Sequence, residues 1–126
     1  MTLRILVVDD DEKSRRLAAD VLAHHGYRVT RAASGEEAIE LARGGAMQDL
    51  VLLDIQLPGL DGVATLRVLR GLRDWQAMPV IAVTASVMPH ERSELMRAGF
   101  SGFLAKPLAI KDLARLVRDT LAARKG

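Results

Sequence analysis

Residues able to do chemistry stand directly after short apolar runs at four places in this chain. They are Asp9 with Asp10, then Asp54, Thr84 and Lys106. Carboxylates bind hard cations or act as nucleophiles, and an ammonium group neutralises charge that develops on oxygen. If the four runs are strands of one sheet, these side chains belong to a single site.

The stretch DLVLLDIQLPGLDG, residues 49–62, gives the strongest of these signals. Four apolar residues run without a polar break into Asp54, and Pro58-Gly59 then turns the chain. Such a run is typical of a strand that is buried on both faces of a parallel sheet. Ligands bind at the carboxyl ends of strands in open α/β sheets, so Asp54 is a candidate reactive group. Taken alone, an acid in this position is more often a helix cap than a nucleophile.

Apolar periodicity predicts five strands that alternate with five helices. The strands are predicted at 3–8, 28–32, 50–53, 80–83 and 102–105. The helices are predicted at 11–25, between a Ser34 cap and Gly44-Gly45, at 61–73, at 87–98 and from Ile110 to Leu121. This alternation predicts an α/β fold whose parallel sheet has helices on both faces and right-handed crossovers.

The predicted helices differ in the apolar surface they offer. Leu17, Ala18, Val21 and Leu22 form the stripe of the first helix, and Ile110, Leu113, Leu116, Val117 and Leu121 form that of the last. The fourth helix has a thinner stripe of Val87, Leu95 and Met96, so we expect it to be held less firmly. Arg67, Arg70 and Arg73 have helical spacing, which we interpret as a solvated helix face.

Composition restricts the class of protein. The 126 residues are 49% hydrophobic and 27% charged, as expected for one globular domain spanning residues 1–126. No apolar run approaches the roughly 20 residues that cross a bilayer, and the first residues lack a secretory pattern, so we expect a cytoplasmic location. With 18 basic and 16 acidic residues, four aromatic residues and no cysteine, the chain offers no platform for nucleic acid and no thiolate metal site.

Four motifs stand at the predicted strand ends: VVDD, LLDIQLPGLDG, VTAS and GFLAKP. Together and in this order they resemble the receiver domain of bacterial response regulators. The resemblance covers the chain from Ile5 to the last helix. It implies a flavodoxin-like (βα)5 fold with strand order 2-1-3-4-5, in which Asp9 and Asp10 face Asp54.

The resemblance also implies a chemistry for the site. Mg²⁺ is expected on Asp10 and Asp54, with Asp9 acting partly through water and the backbone carbonyl of Gln56 completing the set. Asp54 is the implied nucleophile, which takes a phosphoryl group from a partner's histidine to form an aspartyl phosphate. Lys106 is implied to neutralise the phosphoryl charge and Thr84 to donate its hydroxyl to the phosphate.

The same resemblance implies a switch. Movement of Thr84 lets Phe103 rotate inward, and the signal appears on the face made by helix 4, strand 5 and helix 5. Arg15 and Arg16 of helix 1 resemble a kinase-docking surface, with solvated charge as the alternative. Lys106-Pro107 resembles the family's cis peptide.

The partners implied are a histidine kinase or histidine phosphotransfer protein and a downstream protein target. Direct binding of nucleic acid or of a membrane is not expected, and a phosphorylation-dependent dimer stays open. In this interpretation the chain is a signalling domain, which catalyses only its own phosphorylation and dephosphorylation.

Two alternatives keep part of this pattern. In a haloacid dehalogenase-like phosphatase, Asp9 is the nucleophile and Asp11 the acid-base. That family needs a further acidic pair after the lysine, whereas here only Asp112 and Asp119 follow, both in the last helix. The other alternative is a pseudo-receiver that keeps the fold and binds proteins without phosphorylation.

Overall fold

A five-stranded parallel sheet forms the centre of the molecule. The computed structural model describes residues 2–85 and 88–124. The strands are Arg4–Val8 (β1), Arg28–Ala32 (β2), Leu50–Asp54 (β3), Val80–Thr84 (β4) and Gly102–Ala105 (β5). They lie in the order β2-β1-β3-β4-β5, and all neighbours are parallel. The predicted order is confirmed, with the alternating Arg28–Ala32 segment at an edge.

Five α-helices connect and cover the strands. They are Glu12–His24 (α1), Gly35–Arg43 (α2), Gly62–Arg70 (α3), Pro89–Ala98 (α4) and Ile110–Ala123 (α5). The third helix was predicted to reach Arg73, but α3 ends at Arg70 and a short 3-10 turn follows at Arg73–Trp75. Val87, predicted as the first residue of the fourth helix, lies outside the described residues. None of the described helices is long and apolar enough to cross a membrane.

The sheet separates two hydrophobic clusters, because alternate residues of a strand point to opposite faces. On one face, Leu6 and Val8 of β1 pack with residues of α2, α3 and α4. On the other face, Ile5 and Val7 pack with residues of α1 and α5. Every residue of β3 and β4 is buried, as expected for strands covered on both sides. The carboxyl ends of the central strands are thereby fixed in position.

Three apolar residues assigned to core stripes are instead exposed. Leu17 is 38% exposed, Met96 50% and Ile110 53%. Each lies at the margin of its helix's apolar arc: Ile110 is the first residue of α5, and Leu17 and Met96 are each one position from a buried neighbour. One position turns a helix by about 100°, so a residue beside the buried stripe can face solvent.

Arg70 does not belong to a solvated helix face. Its Nη1 donates to the carbonyl oxygens of Trp75 at 2.9 Å and Met78 at 2.6 Å, and its Nη2 donates to that of Gly99 at 3.2 Å. Burial of this guanidinium lowers the pKa of Arg70. The side chain therefore ties α3 to the turn that leads into β4 and to the end of α4.

We expect Arg70→Ala to lower the free energy of unfolding by about 2–4 kcal/mol, because three carbonyl oxygens lose a charged donor. Arg67→Ala, one turn earlier on the exposed side of α3, is the matched control and should change it by no more than about 0.5 kcal/mol. Urea unfolding of the two variants measures the difference. An equal loss of unfolding free energy in the two variants would show that the hydrogen bonds of Arg70 do not stabilise the fold.

Candidate functional site

Two buried carboxylates meet at the carboxyl edge of the sheet. Asp9 directly follows β1 and is 4% exposed, and Asp54 is the last residue of β3 and is 3% exposed. Because β1 and β3 are neighbours in register, their ends coincide. Asp10 stands beside them but is exposed. The strand order thus brings together the acids that the sequence placed at two strand ends.

Lys106, which directly follows β5, also contacts these acids, although β5 lies two strands away from β3 in the sheet. Its Nζ donates to Asp54 Oδ2 at 2.7 Å and lies 3.2 Å from Asp9 Oδ2. Its backbone N–H donates to the carbonyl oxygen of Thr84 at 2.9 Å. The Lys106-Pro107 peptide is cis, as the sequence implied. One ammonium group therefore bridges the two buried carboxylates.

The two carboxylates are oriented by the same local turn. Asp9 Oδ1 accepts the backbone N–H of Asp11 at 2.9 Å, and Asp54 Oδ1 accepts that of Gln56 at 3.0 Å. An aspartate that binds the backbone two residues ahead forms an Asx turn. In each case the backbone holds Oδ1. Lys106 Nζ donates to Oδ2 of Asp54, whereas it lies almost equally far from the two oxygens of Asp9, at 3.3 Å from Oδ1 and 3.2 Å from Oδ2.

Burial and charge act in opposite directions in this cluster. Desolvation by burial raises the pKa of Asp9, and the neighbouring charge of Asp54 adds to the rise, against the lowering effects of the Asp11 N–H and of Lys106. Burial alone acts to lower the pKa of Lys106, but its hydrogen bond to Asp54 and the charges of both acids outweigh that effect and raise it. Lys106 is therefore a cation at neutral pH, whereas ionisation of Asp9 costs stability.

The acids have the chemistry and spacing of a site for a hard cation. Asp9, Asp10 and Asp54 each offer a carboxylate oxygen, and these three atoms lie within 4.8 Å of one another. Three formal negative charges face one ammonium, and all the donors are oxygens, as Mg²⁺ prefers. The exposure of Asp10 leaves room for the waters that Mg²⁺ retains. The residues present fit such an ion.

Thr84 and Phe103 lie on the side of the site toward α4. Thr84 ends β4 and is 7% exposed, and Val83 before it pairs with Asp54. Phe103 is half-buried in β5, and the Arg92 guanidinium carbon lies 4.9 Å from its ring centroid. Such a distance is typical of a cation–π contact. This contact of Arg92 could not be predicted from the sequence, because no local spacing relates α4 to β5.

Two further residues shape the site in ways that the sequence did not reveal. Arg15 Nη1 donates to the carbonyl oxygen of Asp9 at 2.8 Å, so this arginine holds the site's backbone whether or not it also meets a partner. Gly62 donates its N–H to Ile55 at 2.9 Å, and a Cβ there would collide with the carbonyl oxygen of Asp54. The glycine in LDG was visible in the sequence, but the close approach that requires it was not.

Asp11 is not directed into the cluster. Its Oδ2 accepts the N–H of Ser14 at 3.1 Å, which caps α1, and its hydrogen bond to Ser14 lowers its pKa. A carboxylate that accepts this hydrogen bond and has a lowered pKa is poorly suited to donate a proton. The geometry therefore does not favour the phosphatase alternative, which needs Asp11 as acid-base beside Asp9.

Comparison with known proteins gives a consistent result. A family model described as the response regulator receiver domain matches residues 5–118. The polar-differentiation response regulator DivK of Brucella ovis is 32% identical over 121 residues, which cover 96% of this chain and 98% of that protein. The chemotaxis protein CheY4 of Vibrio cholerae matches with a TM-score of 0.90 at 26% identity, covering 95% of this chain and 99% of that one.

A further solved structure is similar to this chain and contains a metal. It is the receiver domain of the sensor histidine kinase PA1611 from Pseudomonas aeruginosa, which is described with a magnesium ion coordinated in its active-site cleft. Its TM-score is 0.86 at 30% identity, with 97% of this chain and 99% of that chain covered.

The raised pKa of Asp9 predicts that one substitution has opposite effects with and without metal. In metal-free protein at pH 7, Asp9→Asn should raise Tm by several degrees, because a buried charge beside Asp54 is removed. This gain should decline as the pH falls through the raised pKa of Asp9 and be lost by about pH 4, below which Asp9 is protonated in the folded and the unfolded wild type alike. In millimolar Mg²⁺ the order should reverse, because the wild type gains more stability from the ion than the variant does.

Thermal unfolding with and without Mg²⁺ measures this reversal. Asp20→Asn removes an exposed acid from α1 and is the control. It should leave the Tm unchanged both with and without Mg²⁺. The same Tm increase from Mg²⁺ in wild type and in Asp9→Asn would count against a role for Asp9 at the metal.

Proposed function

The chain belongs to the response regulator receiver domain family, and on that premise we propose that Asp54 is its phosphoacceptor. The observation that carries the proposal is the contact of 2.7 Å between Lys106 Nζ and Asp54 Oδ2, made beside a cluster of acids that fits Mg²⁺. A carboxylate held in this way is both oriented for attack and close to a cation that can stabilise the transferred group.

In the proposed reaction an Asp54 carboxylate oxygen attacks the phosphorus of a phosphohistidine on a partner protein. A P–O bond forms as the P–N bond breaks, and the electron pair of that bond stays on the imidazole, which leaves. Lys106 stabilises the negative charge on the phosphoryl oxygens throughout. The Gln56 N–H keeps the carboxylate in its attacking orientation. Hydrolysis of the resulting acyl phosphate by water restores Asp54.

We assign the metal ligands as Asp10, Asp54, Asp9 partly through water, and the backbone carbonyl of Gln56. Bound Mg²⁺ would supply charge neutralisation at the phosphoryl oxygens. The assignment is supported by the spacing of the three carboxylates and by the magnesium ion described in the similar PA1611 domain. The Asx turn at Asp54 fixes the backbone of Gln56 next to the cluster.

We propose that Thr84 and Phe103 transmit the change. The Thr84 hydroxyl donates to the phosphoryl oxygen once it has formed, and Phe103 then turns inward from its half-buried position. Because Arg92 lies over the Phe103 ring, this rotation also changes a contact of α4. The outcome is a shift between two packings of the face made by α4, β5 and α5.

Receiver domains act with histidine kinases and with downstream proteins, and for this chain we propose a histidine kinase or histidine phosphotransfer protein as donor. A cytoplasmic location and catalysis limited to its own phosphorylation and dephosphorylation belong to the same proposal. The single domain over residues 1–126 and a phosphorylation-dependent dimer stay predictions. The phosphatase alternative is not favoured, because Asp11 caps α1. The pseudo-receiver alternative is not favoured either, because Lys106 and the acids are all in place.

Labelling with acetyl phosphate and Mg²⁺ tests the acceptor. We expect one phosphoryl group on the wild type, detected by intact-protein mass spectrometry, complete loss of it in Asp54→Asn and a reduced level in Asp9→Asn. Asp20→Asn is the matched control and should be labelled as the wild type is. Peptide mapping after borohydride reduction of the acyl phosphate identifies the modified residue.

Two results would contradict the proposal. Full labelling of Asp54→Asn together with none in Asp9→Asn would indicate the phosphatase-like nucleophile. Absence of labelling in the wild type, with no spectral change on adding beryllofluoride and Mg²⁺, would indicate a pseudo-receiver.

A further inference from the structure

A groove between α3 and α4 lies beside the site and shares only Thr84 with the chemistry proposed above. Its deeper surface is apolar, formed by Ile55 after β3, Val63 of α3 and Leu95 of α4, and its volume is about 260 Å³. Leu95 is buried, whereas Ile55 and Val63 are only half-buried. Thr84 also lines the groove. This is an apolar surface that the described residues leave partly uncovered.

The sequence of α4 explains why the groove stays open. In this helix, PHERSELMRA, Leu95 is the one buried residue. Ala98 lies one turn beyond Glu94, on the side of α4 toward α3. Its methyl group is too small to cover Ile55 or Val63. A helix that covered the floor would need a second large apolar side chain on this face.

The two remaining lining residues are acidic. Glu91 and Glu94 are three positions apart on α4, so they share the helix face that also carries Leu95. The nearest basic residue in the sequence, Arg92, faces the other way and contacts Phe103. No basic side chain is among the described residues that line the groove. α4 is therefore acidic toward α3 and basic toward β5.

A second groove in the same molecule differs, because a basic side chain lines it together with its acidic ones. Between α2 and α3, Glu36 and Glu40 line an apolar surface, but Arg43 lines it with them. At the α3–α4 groove, His90 Nε2 lies 3.8 Å from Glu91 Oε1, but the histidine is 71% exposed and is charged only when protonated. Within residues 2–85 and 88–124, the carboxylates of the α3–α4 groove therefore have no comparable cation lining the groove.

Size and charge together specify the occupant. A volume of about 260 Å³ falls below the roughly 300–1,000 Å³ of sites for whole small molecules and matches one or two side chains. An apolar floor beside two carboxylates is complementary to an apolar side chain next to a cation. We propose that the α3–α4 groove binds a segment of a partner protein that presents a leucine-sized apolar side chain next to a lysine or arginine.

The proposal also couples this groove to the phosphoacceptor, and this part rests on the proposed function. Thr84 lines the groove and is assigned to the phosphoryl group, and Ile55 directly follows Asp54 in the chain. A change of Thr84 on phosphorylation therefore alters the groove wall. By thermodynamic linkage, a segment bound there changes the phosphorylation equilibrium by the same factor.

Selection of short random peptides displayed on phage, on the full chain, tests the docking. Counter-selection uses Glu91→Gln/Glu94→Gln, which retains shape and removes both charges. We expect an enriched consensus with Lys or Arg adjacent to Leu, Ile, Val or Met. Amide chemical shifts of Ile55, Val63 and Leu95 should move when a selected peptide is added to the labelled protein.

The affinity of one selected peptide, measured by fluorescence polarisation, gives the quantitative test. Each lost carboxylate should weaken binding by roughly twofold to fivefold. The matched control Asp20→Asn/Glu40→Gln also removes two exposed acids, on α1 and α2, and should bind as the wild type does. Thermal unfolding verifies that both double variants are folded.

Three results would overturn the docking proposal. One is a consensus without a basic residue. Another is peptide binding that the Glu91→Gln/Glu94→Gln variant leaves unchanged. The third is a wild-type dimer in sedimentation that this variant abolishes, which would make a second copy of the chain the occupant.

Beryllofluoride with Mg²⁺, which mimics the phosphoryl group, tests the coupling. Peptide affinity should change by at least about fivefold on its addition. Unchanged affinity in a protein whose Asp54 is labelled by acetyl phosphate would overturn the coupling and leave the proposed function intact. Normal peptide binding in a protein that acetyl phosphate fails to label would overturn the proposed function and leave the docking intact.

Discussion

The Lys106 ammonium, placed between two buried carboxylates, is the interaction on which the arrangement of this molecule depends. Asp9 and Asp54 are almost completely buried and side by side, and two like charges in that position repel one another. The cation that offsets them comes from β5. Strand order, strand register and the length of one lysine side chain must therefore all be correct for the acids to be tolerated.

The same cluster lowers the stability of the fold, because its charged groups are buried. Charges taken out of water cost several kcal/mol each, and a buried ion pair seldom returns more than it costs. The backbone reduces this cost through the paired Asx turns at Asp9 and Asp54 and through Gly62, which lets α3 begin against the end of β3. The residual negative charge of the three acids is what makes the site fit a divalent cation.

The parts that could be predicted from the sequence are those set by strand ends. Once five apolar runs are placed in a parallel sheet, Asp9, Asp54 and Lys106 must converge, because the carboxyl ends of parallel strands share an edge. The contacts of Arg15, Arg70 and Arg92 could not be predicted, because each joins a long side chain to a group that no local period relates to it. Periodicity also left the margins of the helical stripes undetermined, and Met96 accordingly proved exposed.

The two ends of α4 are held by different contacts. Its last turn leads to Gly99, whose carbonyl oxygen accepts a hydrogen bond from Arg70, whereas its first turn, after Met88, has no side-chain cap. The hydrogen bond to Gly99 lies at the end of α4 far from Asp54, whereas the contact of Arg92 with Phe103 lies in the half of the helix nearer the site. Arg70 thus joins α3 to a helix of the proposed signalling face at the edge of the sheet opposite the acids.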